Sequence, residues 1–142
     1  MDSKFSEDRN RDLVDLCRAS GLRRHEVKAL KVANVVQTAD GKLAIWVEQG
    51  KGGRSRTVPV LASMQERVRE IIANRKPDEL LIKKIPVRAD IHGYRREYAA
   101  GLYQQVSGKA YNSRDKDKAA MQMVSAALGH NRLDVITRNY LG

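Results

Sequence analysis

Three short segments of the chain carry residue types that can bind and activate a phosphate ester. They are residues 21–26 (GLRRHE), 92–95 (HGYR) and 128–130 (LGH), and Tyr140 follows ten residues after the last of them. Guanidinium groups can hold the nonbridging oxygens of a phosphodiester without a metal as charge grows on them. Histidine can carry a proton near neutral pH, and a tyrosine hydroxyl can attack phosphorus when nearby cations favour its anion. These residue types therefore suit phosphodiester transfer.

Each segment also has an ordinary structural explanation when it is taken alone. An arginine after a helix break is usually a surface cation, and His-x-x-Arg places two cations one helical turn apart. A Gly-His pair at a helix end is often a C-cap, and a tyrosine near the end of a chain often packs half-buried. Chemistry is indicated by the whole set in its order and not by any one segment.

Helices around a small antiparallel sheet are predicted to position these segments. Apolar runs predict strands over residues 35–36, 43–47 and 57–60, which form a meander with an Asp40-Gly41 turn and Pro59 on an edge strand. Helical spacing predicts a helix over 9–19, capped by Ser6 or Asp8 and stopped by Gly21. The charged string 114–118 is interpreted as a solvated surface. Further helices are predicted over 24–31, 63–74 (capped by Ser63), 90–106 (capped by Asp90), 119–128, and from Asp134 onward. The fold class is α+β: a mostly helical single domain, residues 1–142, with a small three-stranded antiparallel sheet.

Composition excludes several classes of protein. The chain has 142 residues, with 27 Lys plus Arg against 17 Asp plus Glu, and one cysteine. No apolar run approaches the roughly 18 residues of a membrane span, and the polar start MDSKFSEDRN lacks the core of a signal peptide, so we expect a cytoplasmic protein. The lone Cys17 lies in the apolar pattern LVDLC and is predicted to be a core thiol. The basic excess favours a nucleic-acid partner, although charge alone fits a solvated surface equally well.

Taken together and in order, the segments resemble the catalytic domain of the tyrosine recombinases, the phage integrase family. The resemblance runs from about Leu13 to Tyr140. The family's Gly-Leu-Arg-x-x-Glu motif is matched by residues 21–26, and its hairpin motif Gly-Lys-Gly-x-x-x-Arg-x-Val-Pro is matched by residues 50–59 (GKGGRSRTVP). The six active-site positions of the family fall on Arg23, Lys51, His92, Arg95, His130 and Tyr140.

The resemblance implies a role for each residue. Arg23 and Arg95 would form the phosphate clamp, and Tyr140 would form a covalent 3′-phosphotyrosyl link with DNA. Lys51 would protonate the leaving 5′-oxygen. The remaining assignments are His92 as base or proton carrier, His130 as a donor to the phosphate, Glu26 as a supporting residue that orients His92 or an arginine, and Arg24, Arg54, Arg56, Arg96 and Arg132 as DNA-binding residues. Because a cation at a helix edge stabilises a fold little, Arg95→Ala is expected to remove cleavage with little unfolding.

The resemblance also implies which cofactors and partners the protein has. The phosphotyrosyl link conserves the phosphodiester, so no cofactor or metal is expected, and we find no Asp-Asp-Glu arrangement for a two-metal route in the sequence. The expected partner is double-stranded DNA, with a homotetramer on two DNA sites in the full-length protein and no membrane or small-molecule substrate. We expect the chain to be a fragment without the family's N-terminal core-binding domain and C-terminal tail.

One departure and two alternatives remain at this stage. The spacing from His130 to Tyr140 is ten residues where nine is commonest in the family, and the extra residue is assigned to the loop 131–133. The alternatives are a DNA-relaxing enzyme like the type IB topoisomerases and a non-catalytic basic DNA-binding module in which Tyr140 only packs. The compact spacing before the tyrosine favours a recombinase.

Overall fold

Five α-helices and a three-stranded sheet form within the part of the chain that the structure, a computed structural model, describes: residues 5–48, 53–110 and 116–129. Short 3-10 helices at Val32–Asn34 and Ala62–Met64 precede β1 and α3. The predicted α+β class is confirmed. The elements in chain order are α1 (Arg11–Ser20), α2 (Arg24–Ala29), β1 (Val35–Gln37), β2 (Leu43–Val47), β3 (Arg56–Pro59), α3 (Gln65–Ile72), α4 (Ile91–Ser107) and α5 (Lys118–Leu128).

Helix α1 ends where the sequence predicted, but it begins differently. Gly21 takes a left-handed conformation (φ +64°) and its amide donates to the Cys17 carbonyl at 2.7 Å. A Cβ at Gly21 would overlap the ring of Tyr98, so glycine is required both by the backbone and by the close packing. The predicted caps Ser6 and Asp8 are wrong: the N-cap residue is Asn10, and its side chain donates to the Ser6 carbonyl instead of capping the helix.

The sheet is the predicted antiparallel meander, in the order β1-β2-β3. Val35 pairs with Ile45, and Ala44 pairs with Pro59. Proline has no amide hydrogen, and β3 is an edge strand of this sheet, which is where Pro59 was expected. Ile45 and Val58 are fully buried and point toward the helices, and this buried face fixes the register.

The predicted helix over residues 63–74 is shorter than expected, and its predicted cap is wrong. Ser63 lies inside the 3-10 turn, and α3 begins only at Gln65. The Gln65 side chain instead bonds the backbone of β2, accepting from the Leu43 amide at 2.7 Å and donating to the Leu43 carbonyl at 3.2 Å. Helix α3 is thereby tied to the sheet.

The two helices that follow are capped by aspartates. The predicted cap of α4 is confirmed, because Asp90 accepts from the Gly93 amide at 3.0 Å. Asp117 caps α5 by accepting from the Ala120 amide at 3.1 Å, so the interpretation of 114–118 as merely solvated is wrong at this residue. The last predicted helix, from Asp134, lies outside the described residues.

The core lies between α1, α4, α5 and the buried face of the sheet. Tyr98 and Tyr103 are among its largest fully buried side chains. Cys17 is also fully buried, and burial raises the pKa of its thiol to about 12, which confirms the prediction of a core thiol. Among the described helices, none is long and apolar enough to cross a membrane.

Candidate active site

Glu26 holds two arginines at the start of α2. Its Oε1 accepts from the Arg23 amide at 2.8 Å and from Arg56 Nη2 at 3.0 Å. Its Oε2 accepts from Arg56 Nη1 at 2.6 Å and from Arg23 Nη1 at 3.3 Å. The Glu26 side chain is fully buried by these partners. The Gly-Leu-Arg-x-x-Glu spacing thus does two things: the glutamate caps its own helix and also fixes the guanidinium of the motif's arginine.

The Glu26 carboxyl is held in its charged form. Burial by itself raises its pKa, but the hydrogen bonds from Arg56 and the Arg23 amide, together with the charges of both guanidiniums, bring the pKa below its ordinary value. Glu26 therefore stays an anion at neutral pH. The prediction that Glu26 orients an arginine agrees with these contacts.

Arg95 lies on α4, and its buried guanidinium bonds the backbone at the ends of α1 and α5. Its Nη1 donates to the Gly21 carbonyl at 2.7 Å, and its Nη2 donates to the Leu128 carbonyl at 3.2 Å. Only 3% of the residue is exposed. The expectation that Arg95 lies at a helix edge and contributes little stability is therefore wrong, because removing a buried guanidinium leaves two buried carbonyls without their donor.

The end of α5 is where the arginines meet. Arg95 bonds Leu128, Arg56 Nε donates to the Ala127 carbonyl at 2.9 Å, and a Cβ at Gly129 would lie 2.7 Å from Arg23 Nη1. Gly129 also has a left-handed φ of +83°. The structure thus brings together Arg23, Arg95, Glu26 and Arg56 at the residue that precedes His130 in the sequence.

The other predicted site residues that the structure describes lie on the surface or in a loop contact. His92 is exposed in the first turn of α4, one turn before Arg95, and Arg54 and Arg96 are exposed. Arg24 is partly buried and holds a loop instead of pointing outward: its guanidinium donates to the carbonyls of Pro86, Val87 and Ala89 at 3.1, 3.3 and 2.9 Å. This loop leads into α4, so Arg24 fixes the approach to His92.

Four predicted site residues lie outside the described residues: Lys51, His130, Arg132 and Tyr140. Their assignments stay predictions. Within the described ranges, no three His, Cys, Asp or Glu side chains are grouped closely enough to hold a metal ion.

The contacts of Arg56 differ from those that the sequence predicted. It was predicted to contact DNA beside the hairpin turn, but its side chain is only 12% exposed and its guanidinium is bound to Glu26 and to the end of α5. Only the alternation along β3 could have indicated this, since Arg56 and the buried Val58 lie on the same face of the strand.

Comparison with known protein families identifies the family of the chain. The family model described as "Phage integrase family" matches residues 1–100, which contain Arg23, Glu26, Lys51, His92 and Arg95. The chain belongs to the phage integrase family.

Two solved structures have a similar fold. One is the XerH site-specific recombinase bound to palindromic difH substrate in a post-cleavage complex, with 23% identity, a TM-score of 0.60, and coverage of 98% of this chain and 44% of that chain. The other is XerH bound to difH substrate in a pre-cleavage complex, with 22% identity, a TM-score of 0.57, and coverage of 98% and 45%. The chain thus has the tyrosine recombinase catalytic-domain fold and spans under half the length of these proteins. No curated protein sequence matches the chain.

Proposed function

We propose that the chain is the catalytic part of a site-specific DNA recombinase, which cleaves and rejoins DNA strands without a cofactor through a covalent 3′-phosphotyrosyl link. Membership of the phage integrase family and the fold shared with XerH–DNA complexes support this proposal. The observation that carries it is the convergence of Arg23 and Arg95 on the end of α5. The complete protein would act as a homotetramer on two DNA sites.

Arg23 is suited to bind a phosphate because only one nitrogen of its guanidinium is bound by the described residues. Its Nη1 is on Glu26, while Nε and Nη2 have no acceptor in the described part of the chain. The Arg23 side chain is 17% exposed, so it is not closed off from solvent. Arg23, Arg56 and Arg95 bring three positive charges to the end of α5, and Glu26 supplies one negative charge there. The surplus of positive charge favours the phosphate as its oxygens gain charge.

The described tyrosines are poor nucleophiles, which supports the assignment of Tyr140. Tyr94 and Tyr98 are buried, their hydroxyls donate to Glu7 Oε2 at 2.8 Å and to the Pro59 carbonyl at 2.6 Å, and burial raises the pKa of each phenol. The hydroxyl of buried Tyr103 accepts from the Asp117 amide at 2.8 Å. Of the five tyrosines in the sequence, Tyr111 and Tyr140 are left, and Tyr140 holds the family's position.

The proposed step balances without an external energy source. The Tyr140 oxygen forms a bond to phosphorus, its proton passes to His92, and the bond from phosphorus to the 5′-oxygen breaks as Lys51 protonates that oxygen. His130 donates a hydrogen bond to the phosphate beside Arg23 and Arg95. The reverse step, with a 5′-hydroxyl as the nucleophile, restores the diester.

A trapping experiment tests the proposal. The protein is incubated with a pool of nicked duplexes of randomised sequence, from which the 5′-hydroxyl fragment diffuses away after cleavage. The expected result is a protein–DNA adduct on a denaturing gel that Tyr140→Phe and Arg95→Gln abolish. Tyr111→Phe is the matched control and should retain the adduct.

The outcome is decisive in both directions. An adduct that persists in Tyr140→Phe but disappears in Tyr111→Phe would overturn the assignment of the nucleophile. The absence of any adduct, with DNA binding intact, would overturn the proposed activity and leave a DNA-binding module.

A further inference from the structure

Arg56 joins strand β3 to both sides of the candidate active site. All three nitrogens of its guanidinium are engaged: Nη1 and Nη2 with the two oxygens of Glu26, and Nε with the Ala127 carbonyl at the end of α5. A Cβ at Gly129 would lie 3.2 Å from Arg56 Cζ, so the backbone at the end of α5 packs closely against the guanidinium. One side chain therefore connects a strand, the start of α2 and the end of α5.

We propose that Arg56 is a positioning residue that aims Arg23 at the phosphate and holds the end of α5 in register with it. The role in aiming at a phosphate rests on the proposed function. The connection to Arg23 runs through both oxygens of Glu26. Oε2 accepts from Arg56 Nη1 and Arg23 Nη1, and Oε1 accepts from Arg56 Nη2 and the Arg23 amide.

The contacts do not suit Arg56 as a DNA contact. Its terminal nitrogens are occupied by a buried carboxylate, and its charge is compensated there. A phosphate would have to displace Glu26, which would leave a buried carboxylate without its main partner. Arg54 precedes β3 by two residues, is exposed, and makes no such contact with the described residues.

Lysine at position 56 is not expected to perform the positioning role of Arg56. One ammonium can approach the carboxylate of Glu26, but it lacks the planar fork that binds both carboxylate oxygens and the third donor that reaches Ala127. Arg56→Lys keeps the charge opposite Glu26 and so favours a folded protein, while it removes the geometry on which the proposal depends.

Arg56 also anchors the hairpin that carries Lys51. Lys51 is five positions before Arg56, and five extended residues span at most about 17 Å. Chain length alone therefore keeps the backbone of Lys51 within that distance of Arg56, so Arg56 would couple the two halves of the proposed chemistry.

The test compares four variants by three measurements. The variants are Arg56→Lys, Arg56→Gln, Arg54→Gln and Arg67→Gln. Arg67 is the matched control for losing an arginine between two elements, because it joins α3 to Asp12 and Asp15 of α1 at 2.7 Å each. The measurements are single-turnover cleavage at saturating DNA, the dependence of DNA affinity on salt, and hydrogen exchange of the Arg23 amide relative to the amides of β2.

Both Arg56 variants are expected to slow cleavage at least tenfold, to speed exchange of the Arg23 amide at least tenfold, and to leave the salt dependence unchanged. Arg54→Gln should reduce the salt slope by about one unit for one lost phosphate contact and leave exchange at Arg23 unchanged. Arg67→Gln should lower stability without a selective effect at Arg23.

Two results would overturn the inference. One is wild-type cleavage and exchange in Arg56→Lys. The other is that Arg56→Gln reduces the salt dependence of DNA affinity as much as Arg54→Gln does, while cleavage at saturating DNA is at the wild-type rate. That result would make Arg56 a phosphate contact. If the wild-type protein forms no adduct, the proposed function fails, and exchange of the Arg23 amide alone decides whether Arg56 positions Arg23.

Discussion

Replacing Glu26 by Gln tests whether this buried carboxylate organises the site. Its two oxygens accept four hydrogen bonds from Arg23 and Arg56. Glutamine keeps the shape, but one of its terminal atoms becomes a donor that faces guanidinium donors. Removing one partner of a buried ion pair costs about 3–5 kcal/mol. At about 3–4 °C per kcal/mol for a domain of this size, we expect the melting temperature at pH 7 to fall by about 10–20 °C.

The loss in Glu26→Gln should depend on pH. The folded-state pKa of Glu26 lies below its ordinary value of 4.5, so its stabilisation is complete above that value and is lost as the pH falls through the folded pKa. The difference in unfolding free energy between wild type and variant, measured by urea denaturation, should therefore be constant from pH 8 to about pH 5 and shrink below it.

A matched control is available in Glu79, which binds Arg75 Nε at 2.7 Å but is partly exposed. Glu79→Gln should lose far less stability, because solvent screens a surface ion pair. Equal losses in the two variants, or a Glu26→Gln loss that persists undiminished in acid, would refute the reasoning that burial and four charged hydrogen bonds make Glu26 central.

Three further predictions follow from the same contacts. Gly129→Ala should lose more stability and more cleavage activity than Gly108→Ala, as measured by thermal melting and adduct formation. Both glycines have positive φ, but a Cβ at Gly129 would meet Arg23, whereas nothing lies within 4 Å of a Cβ at Gly108. Arg24→Ala should release the loop 86–89 from its three carbonyl contacts, and limited proteolysis should then cut that loop faster than in wild type, with equal rates contradicting the contacts. Cys17 should react with iodoacetamide only after unfolding, even at pH 9, because it is fully buried and its pKa is about 12; fast modification of the native protein would contradict this.

Much of the fold follows from local rules that can be read in the sequence. A glycine after an apolar helix predicted the end of α1, and Asp90 before a helical pattern predicted the start of α4. Apolar runs, the Asp40-Gly41 turn and Pro59 predicted the meander and its edge. The wrong caps, Ser6, Asp8 and Ser63, arose because several polar residues precede each helix, and the packing of the first turn decides which of them becomes the cap.

The sequence by itself also determined the family, because six chemically suited residues occur in a characteristic order. What only the tertiary structure decided is which arginine does what. Arg56 bonds Glu26 across 30 positions, and Arg95 bonds Gly21 across 74. A guanidinium on a flexible stem finds its acceptors through the packing of distant elements, so its type and spacing do not reveal whether it faces solvent, DNA or a buried carboxylate.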